Sequence, residues 1–248
     1  MLKKSISLSA FIVLFLVGGA LATPFNNADD VVIQNGPETP LQTIVNNVFD
    51  SPFSVADDQS DVRVWTPYDG AATAYELVYL AGNTNTIGIY DDITGSTYSF
   101  SLLSSGVSKA TFEFTTTGGL EVNSALVAGN WSGQFGFFID SYDGKNTVRY
   151  YSEDDMNGGS TQAVAYVVAD GTRVDTTAYN LGTTAFTADG NDDWLIAFED
   201  ISYSSSDKDF NDAVFYVKDI VAPVPEPATL LLLGSGLVGL AFLKRRKQ

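Results

Sequence analysis

The 248-residue chain carries 13 Lys and Arg against 30 Asp and Glu, a formal net charge of −17, and has neither cysteine nor histidine. Without histidine there is no usual general base near neutral pH and no common zinc ligand, which excludes a Ser-His-Asp hydrolase, a Cys-His protease and a His-bound zinc site. Without cysteine, stability must come from packing or bound ions, and so acidic a chain repels nucleic acid and anionic membrane while attracting hard cations such as calcium.

At the N-terminus, Lys3-Lys4, an apolar stretch from Ile6 to Val17 and the small residues Ala20-Leu21-Ala22 have the three regions of a secretory signal. Residues 1–22 are expected to be removed by signal peptidase. The following span, 24–222, is expected to be an extracellular β-rich domain of roughly 200 residues, large enough for a sizeable core. It keeps seven Lys and Arg against 29 Asp and Glu, a net charge of −22.

Thr39-Pro40 followed by Leu41, Ile44, Val45 and Val48 predicts one short amphipathic helix lying on a sheet, with Thr39 as cap and Pro40 in the first turn. The period then changes to alternation. Ten runs read as strands: around Val62–Trp65, Ala74–Leu80 and Ile87–Ile89, then Tyr98–Leu103, Thr111–Thr115, Phe135–Ile139, Val148–Tyr151, Ala163–Val168, Trp194–Phe198 and Ala213–Val217. Turn pairs such as Asp69-Gly70, Asp143-Gly144, Gly158-Gly159 and Asp170-Gly171 separate them. The expected fold is mainly β, a sandwich or jelly-roll-like domain, continuous rather than split near Gly118–Asn130.

The densest polar constellation is Phe198-Glu199-Asp200 followed by Asp207-Lys208-Asp209-Phe210-Asn211-Asp212. Asp207, Asp209 and Asn211 alternate, so their oxygens can converge on one hard cation while Phe210 anchors the loop; Glu199, Asp200 or Asp212 would complete the shell. The EF-hand pattern is not met, because Asp212 and Lys218 stand where it needs glycine and glutamate. Two other readings stand beside calcium. The acids read equally as turn caps bonding local backbone, or Glu199 with Asp209 or Asp212 reads as the acid/base pair of a carbohydrate-active enzyme. Asp91-Asp92, Asp140 with Asp143, Glu153-Asp154-Asp155 and Asn191-Asp192-Asp193 read as solvated turns. Trp65, Trp131, Trp194, Tyr142, Tyr150 and Tyr151 read as core rather than as sugar-stacking platforms.

At the C-terminal end, Val224-Pro225-Glu226-Pro227, an apolar run from Ala228 to Leu243 and Lys244-Arg245-Arg246-Lys247 stand in order. This segment, 223–248, resembles the PEP-CTERM sorting signal recognised by exosortases of Gram-negative bacteria that make extracellular polysaccharide. The resemblance implies a hydrophobic sorting helix, transient inner-membrane anchoring, exosortase cleavage near Pro225, Glu226 and Pro227, and release to the cell surface or biofilm matrix. The span before it resembles a bacterial extracellular domain of unknown function, through Phe198-Glu199-Asp200, the Asp207–Asp212 phrase, Gly133-Gln134-Phe135-Gly136-Phe137-Phe138 and Asn85-Thr86-Ile87-Gly88-Ile89-Tyr90-Asp91. Members of that family often carry a histidine where Gln162 stands here. The expectation is a non-catalytic structural or adhesive module stabilised by calcium, with extracellular polysaccharide or another surface component as partner. Its alternative is a glycan hydrolase or glycan-binding module built on Glu199, Asp209 and Asp212.

Overall fold

The computed structural model describes residues 31–223 apart from 69, 92–97, 105–106, 130, 176, 178, 180–184 and 191. The signal segment and positions 224–248 lie outside the described residues, as do Asp92 and Asn191. The helix α1 spans Leu41–Val48. Fifteen strands are described: β1 Val64–Pro67, β2 Ala71–Tyr79, β3 Thr84–Asp91, β4 Ser99–Leu103, β5 Lys109–Phe114, β6 Leu120–Val122, β7 Ala125–Ala128, β8 Phe135–Tyr142, β9 Thr147–Tyr151, β10 Ala163–Val168, β11 Arg173–Asp175, β12 Ala185–Thr187, β13 Asp193–Phe198, β14 Ala213–Lys218 and β15 Ile220–Val221. The ten predicted runs correspond to β1–β5, β8–β10, β13 and β14, whereas β6, β7, β11, β12 and β15, of two to four residues each, show too little alternation to register.

One sheet runs β15–β1–β8–β3–β4, and the other runs β10–β13–β14–β2–β5–β6–β7. Strand β3 pairs with β8 along its whole length, so β1 and β9 share the other edge of β8 in succession. The chain passes repeatedly between the sheets, and strands from before and after Gly118–Asn130 are neighbours in both. The inner faces meet as a sandwich. Trp65 packs edge-on to Phe137 at 5.2 Å and to Trp194 at 5.7 Å, and Phe137 packs on Phe215 at 5.2 Å.

The two outer faces are covered differently. On the β10–β13–β14 side, Leu41, Ile44, Val45 and Val48 of α1 form a second apolar cluster with Val164, Tyr166, Leu195, Val214 and Tyr216. All six residues of β13 are buried, and its run from Trp194 to Phe198 reads as continuous rather than alternating because both of its faces are covered. Pro40 occupies the N-cap with extended ψ of 143°, and no side chain caps the helix, so the expected Thr39 cap and first-turn proline shift by one position. A φ near −65° suits proline at either place, and the Pro40 carbonyl accepts the Thr43 and Ile44 N–H groups.

The outer face of the β3–β8 pair covers itself with aromatic rings laid over glycines. Gly88 stands opposite Phe138, and Tyr90 opposite Gly136. A Cβ at Gly136 would lie 2.3 Å from the Tyr90 ring, and one at Gly88 2.4 Å from the Phe100 carbonyl oxygen. Arg149 then stacks 3.6 Å above Phe138 while its guanidinium forks onto Asp140 at 2.6 and 2.7 Å. Gly136→Val is expected to destabilise the domain by about 1–3 kcal/mol through overpacking, read as a lower denaturant midpoint at unchanged slope.

Candidate metal centre

Residues 199–212 connect β13 to β14, so both ends of the acidic phrase are fixed by adjacent strands of one sheet. Phe210 is fully buried in the helix-side cluster, as the anchoring role requires. Its N–H donates to Glu199 Oε1 at 2.6 Å. Lys208 and Phe210 both adopt left-handed backbone, with φ of 63° and 51°. Side chains other than glycine pay on the order of 1–3 kcal/mol for such a conformation, and burial of the Phe210 ring offsets it.

A segment from the opposite end of the sequence closes over this loop. The Gln34 N–H donates to the Lys208 carbonyl at 2.8 Å, and Asn211 Nδ2 donates to the Thr39 carbonyl at 2.9 Å and to Asp209 Oδ2 at 2.8 Å. A Cβ at Gly36 would fall 2.0 Å from Asp209 Oδ2 and 2.6 Å from Asp207 Oδ2, so the two carboxylates press against a position that only glycine can fill. Glu38, on the same segment, brings a carboxylate oxygen into a group with Asp207 and Asp209 whose members lie within 4.8 Å of one another.

Glu199, Asp209 and Asn211 are each 0% exposed, and Glu199 Oε2, Asp209 Oδ1 and Asn211 Oδ1 have no hydrogen-bond partner. Leaving buried acceptors unpaired costs about 1–3 kcal/mol each. Burial pushes the Asp209 carboxyl up to about 7, reinforced by Asp207, Glu199 and Glu38. Burial also raises Glu199, partly offset by the Phe210 N–H and the Ser206 hydroxyl. Four carboxylates and an amide oxygen on one loop and its cover supply oxygen ligands alone, the donor set of a hard cation of the calcium type.

Asp200 and Asp212 form a separate pair. The Asp200 N–H donates to Asp212 Oδ2 at 2.9 Å, their side chains hydrogen-bond to each other, and Asn85 Nδ2 donates to Asp200 Oδ2 at 3.0 Å. Burial raises both carboxyls, so they hold a proton between them near neutral pH. The structure therefore brings Asp207 and Asp209 together, ties Asn211 to Asp209 and Glu199 to the loop through hydrogen bonds, sets Asp200 and Asp212 aside, and adds Glu38. Only the Asn35-Gly36-Pro37 turn preceding Glu38 hinted that its segment bends.

Most of the minor acidic groups are not the solvated turns expected. Asp91 and Asp193 are fully buried, Glu153 accepts the Tyr90 hydroxyl at 2.5 Å, and Asp154 accepts the Thr161 hydroxyl at 2.7 Å. Asp143 does behave as a solvated turn, accepting two backbone N–H groups that hold its carboxyl below the usual range. Asp189, Asp193 and Asp219 also cluster, but Lys218 Nζ binds Asp189 at 2.9 Å and the Tyr216 hydroxyl donates to Asp193 at 2.5 Å, so this group is partly compensated from within the fold. Trp65, Trp131 and Trp194 are core residues as expected, whereas Tyr142 is exposed.

A two-sheet β-sandwich covered by one helix, with an acidic, strap-covered loop between β13 and β14, defines a mainly β module. The chain belongs to the family described as a domain of unknown function, DUF4114, whose model matches residues 93–219. A PEP-CTERM protein-sorting motif matches residues 223–247, marking the chain for export and exosortase-dependent processing. No curated protein matches the chain.

Proposed function

We propose that the exported domain is a structural or adhesive module of the cell surface or biofilm matrix, whose β13–β14 loop is fixed by calcium held by Glu38, Glu199, Asp207, Asp209 and Asn211. The observation that carries this reading is the trio of fully buried, unpartnered oxygens on Glu199, Asp209 and Asn211, beside carboxylates pressed onto Gly36. A cation would satisfy these oxygens and cancel the like-charge repulsion together. It would also tie the 34–39 strap to the hairpin, joining two segments far apart in a chain that has no disulfide. The same burial speaks against a glycosidase built on Glu199 and Asp209, because a general acid must reach a glycosidic oxygen.

Thermal unfolding in calcium against chelator tests the reading. A higher melting temperature in millimolar calcium, with a smaller rise in magnesium, is expected; identical curves would refute it. Magnesium demands near-ideal octahedral geometry and sheds water reluctantly, so an all-protein oxygen cage favours calcium. The sorting half of the proposal predicts that deleting Pro225–Gln248 abolishes processing and surface retention, followed by cell fractionation. Unchanged surface display of the truncated chain would contradict it.

A further inference from the structure

A second feature, on the other side of the β13–β14 loop, takes no part in the cation centre. A pocket of about 150 Å³ opens between β9, the turn of 3-10 helix Asp154–Asn157 and the loop residues Ser202 and Tyr203. Its base is Gln162, 1% exposed, whose amide donates to the Ile201 carbonyl at 2.7 Å and whose oxygen accepts the Tyr203 N–H at 2.6 Å. That two-way bond fixes one wall of the pocket to the start of β10.

Two tyrosines give the pocket its character. The hydroxyl of Tyr150 accepts the Ser202 N–H, and burial with the nearby Asp200 charge pushes it up, so it stays protonated and free to donate. Tyr203 is held by Lys208, 4.7 Å over its ring, and by Phe210, with ring centres 6.4 Å apart. Ser160 and Ser202 add hydroxyls, and Met156 adds an apolar patch.

The charges at the pocket decide which ligand it suits. No carboxylate lines it. Arg149 is the one cationic group among the lining residues, and it is already spent on Asp140, on the Ser99 hydroxyl and on the Phe138 face. Among the lining residues a carboxylate or phosphate would meet no uncommitted cation, Lys208 beside them is seated on the Tyr203 ring, and the chain as a whole is strongly acidic. A cation would find no anionic ligand in the walls. A neutral molecule with one apolar face and several hydroxyls fits aromatic walls interleaved with hydroxyl groups, because C–H faces pack on rings while hydroxyls exchange hydrogen bonds with the rim.

We infer that this pocket is a binding site for a neutral sugar residue, recognised singly or as the end of a neutral polysaccharide. It is distinct from the Glu199, Asp209 and Asp212 arrangement weighed from the sequence, and it stands whether or not the loop holds calcium. A module that grips neutral glycan through a small, shallow pocket binds weakly per site and gains hold by repetition along a polymer.

Isothermal titration of the purified protein with gluco-, manno-, galacto- and xylo-oligosaccharides tests the site, with oligogalacturonate as the anionic control. At least one neutral series is expected to bind with a dissociation constant of about 10⁻⁴ to 10⁻³ M, and Tyr203→Ala to weaken it about tenfold. Ser160→Trp, which fills the pocket from a half-buried loop position, is expected to abolish binding at an unchanged melting temperature. Tyr150→Phe, which removes the donor hydroxyl and keeps the ring, should lose affinity without loss of fold. Absence of heat for every neutral series, tighter binding of the galacturonate, or full affinity in Ser160→Trp would each overturn the assignment.

Discussion

Asp209→Asn is expected to erase most of the calcium-dependent stabilisation while leaving the metal-free protein at least as stable as the parent. Asp209 is fully buried, and with Asp207, Glu199 and Glu38 around it burial pushes its carboxyl up to about 7. Without a cation, an amide at this position resembles the protonated acid and removes like-charge repulsion. With a cation, it removes one charged ligand. At calcium about 100-fold above the dissociation constant the parent gains about 2.7 kcal/mol, or about 5–10 °C for a domain of this size. Scanning calorimetry of both proteins in calcium and in chelator reads the difference. Gly36→Ala provides an uncharged companion, because its added Cβ would crowd Asp207 and Asp209 out of position. A full calcium shift retained in Asp209→Asn would place the ion elsewhere.

The second large effect is a reversed dependence on pH. Asp209 titrates at an ordinary 3.8 when unfolded and about 7 when folded, and Glu199, Asp200 and Asp212 are raised in the same direction. The folded state therefore holds these protons more tightly than the unfolded state does. Their stabilising contribution is fully present below about pH 4, is lost progressively as pH rises through about 7 for Asp209 and about 8 for Asp212, and levels off above that. In chelator, the melting temperature is expected to fall from pH 5 to pH 8. Calcium competes for the same oxygens in their ionised form, so the increment that calcium adds grows over the same interval. Asp143 and Asp175, held low by N–H and hydroxyl donors, act only below that window. A melting temperature in chelator that rises towards pH 8 would show that the buried carboxyls are already compensated.

Much of this architecture was legible because the residues obey short-range rules. The helix stripe Leu41, Ile44, Val45 and Val48 is buried as its spacing requires, and ten of the strands announce themselves by β-branched and aromatic runs. The strands that stayed hidden are held by pairing rather than by pattern: β15 has two residues, and Thr66 and Pro67 of β1 pair with it. The two aromatic-glycine phrases were visible as sequence, but their relation was not. Gly88 opposite Phe138 and Gly136 opposite Tyr90 become one cross-strand device only when the register is known.

The acidic phrase shows the same limit. Alternation of Asp207, Asp209 and Asn211 indicated a shared focus, and Phe210 as anchor followed from its being the apolar residue among them. That Asp200 and Asp212 turn to each other depends on where β13 ends and β14 begins, and on Asn85 arriving from β3. Glu38 joins from a strap more than 160 residues away in the chain, a distance over which composition carries no signal. Gln162, noted only as standing in place of a histidine, instead braces the wall of the second pocket.

Isothermal titration of calcium into the parent protein and into Glu38→Gln tests the central claim most directly, since Glu38 lies outside the loop and belongs to the site only if the strap closes over it. One ion per parent chain is expected, with a dissociation constant of about 10⁻⁴ to 10⁻³ M, the range of extracellular calcium modules, and about tenfold or greater weakening in the variant. No binding heat at millimolar calcium, or equal affinity in the two proteins, would contradict a calcium-fixed hairpin.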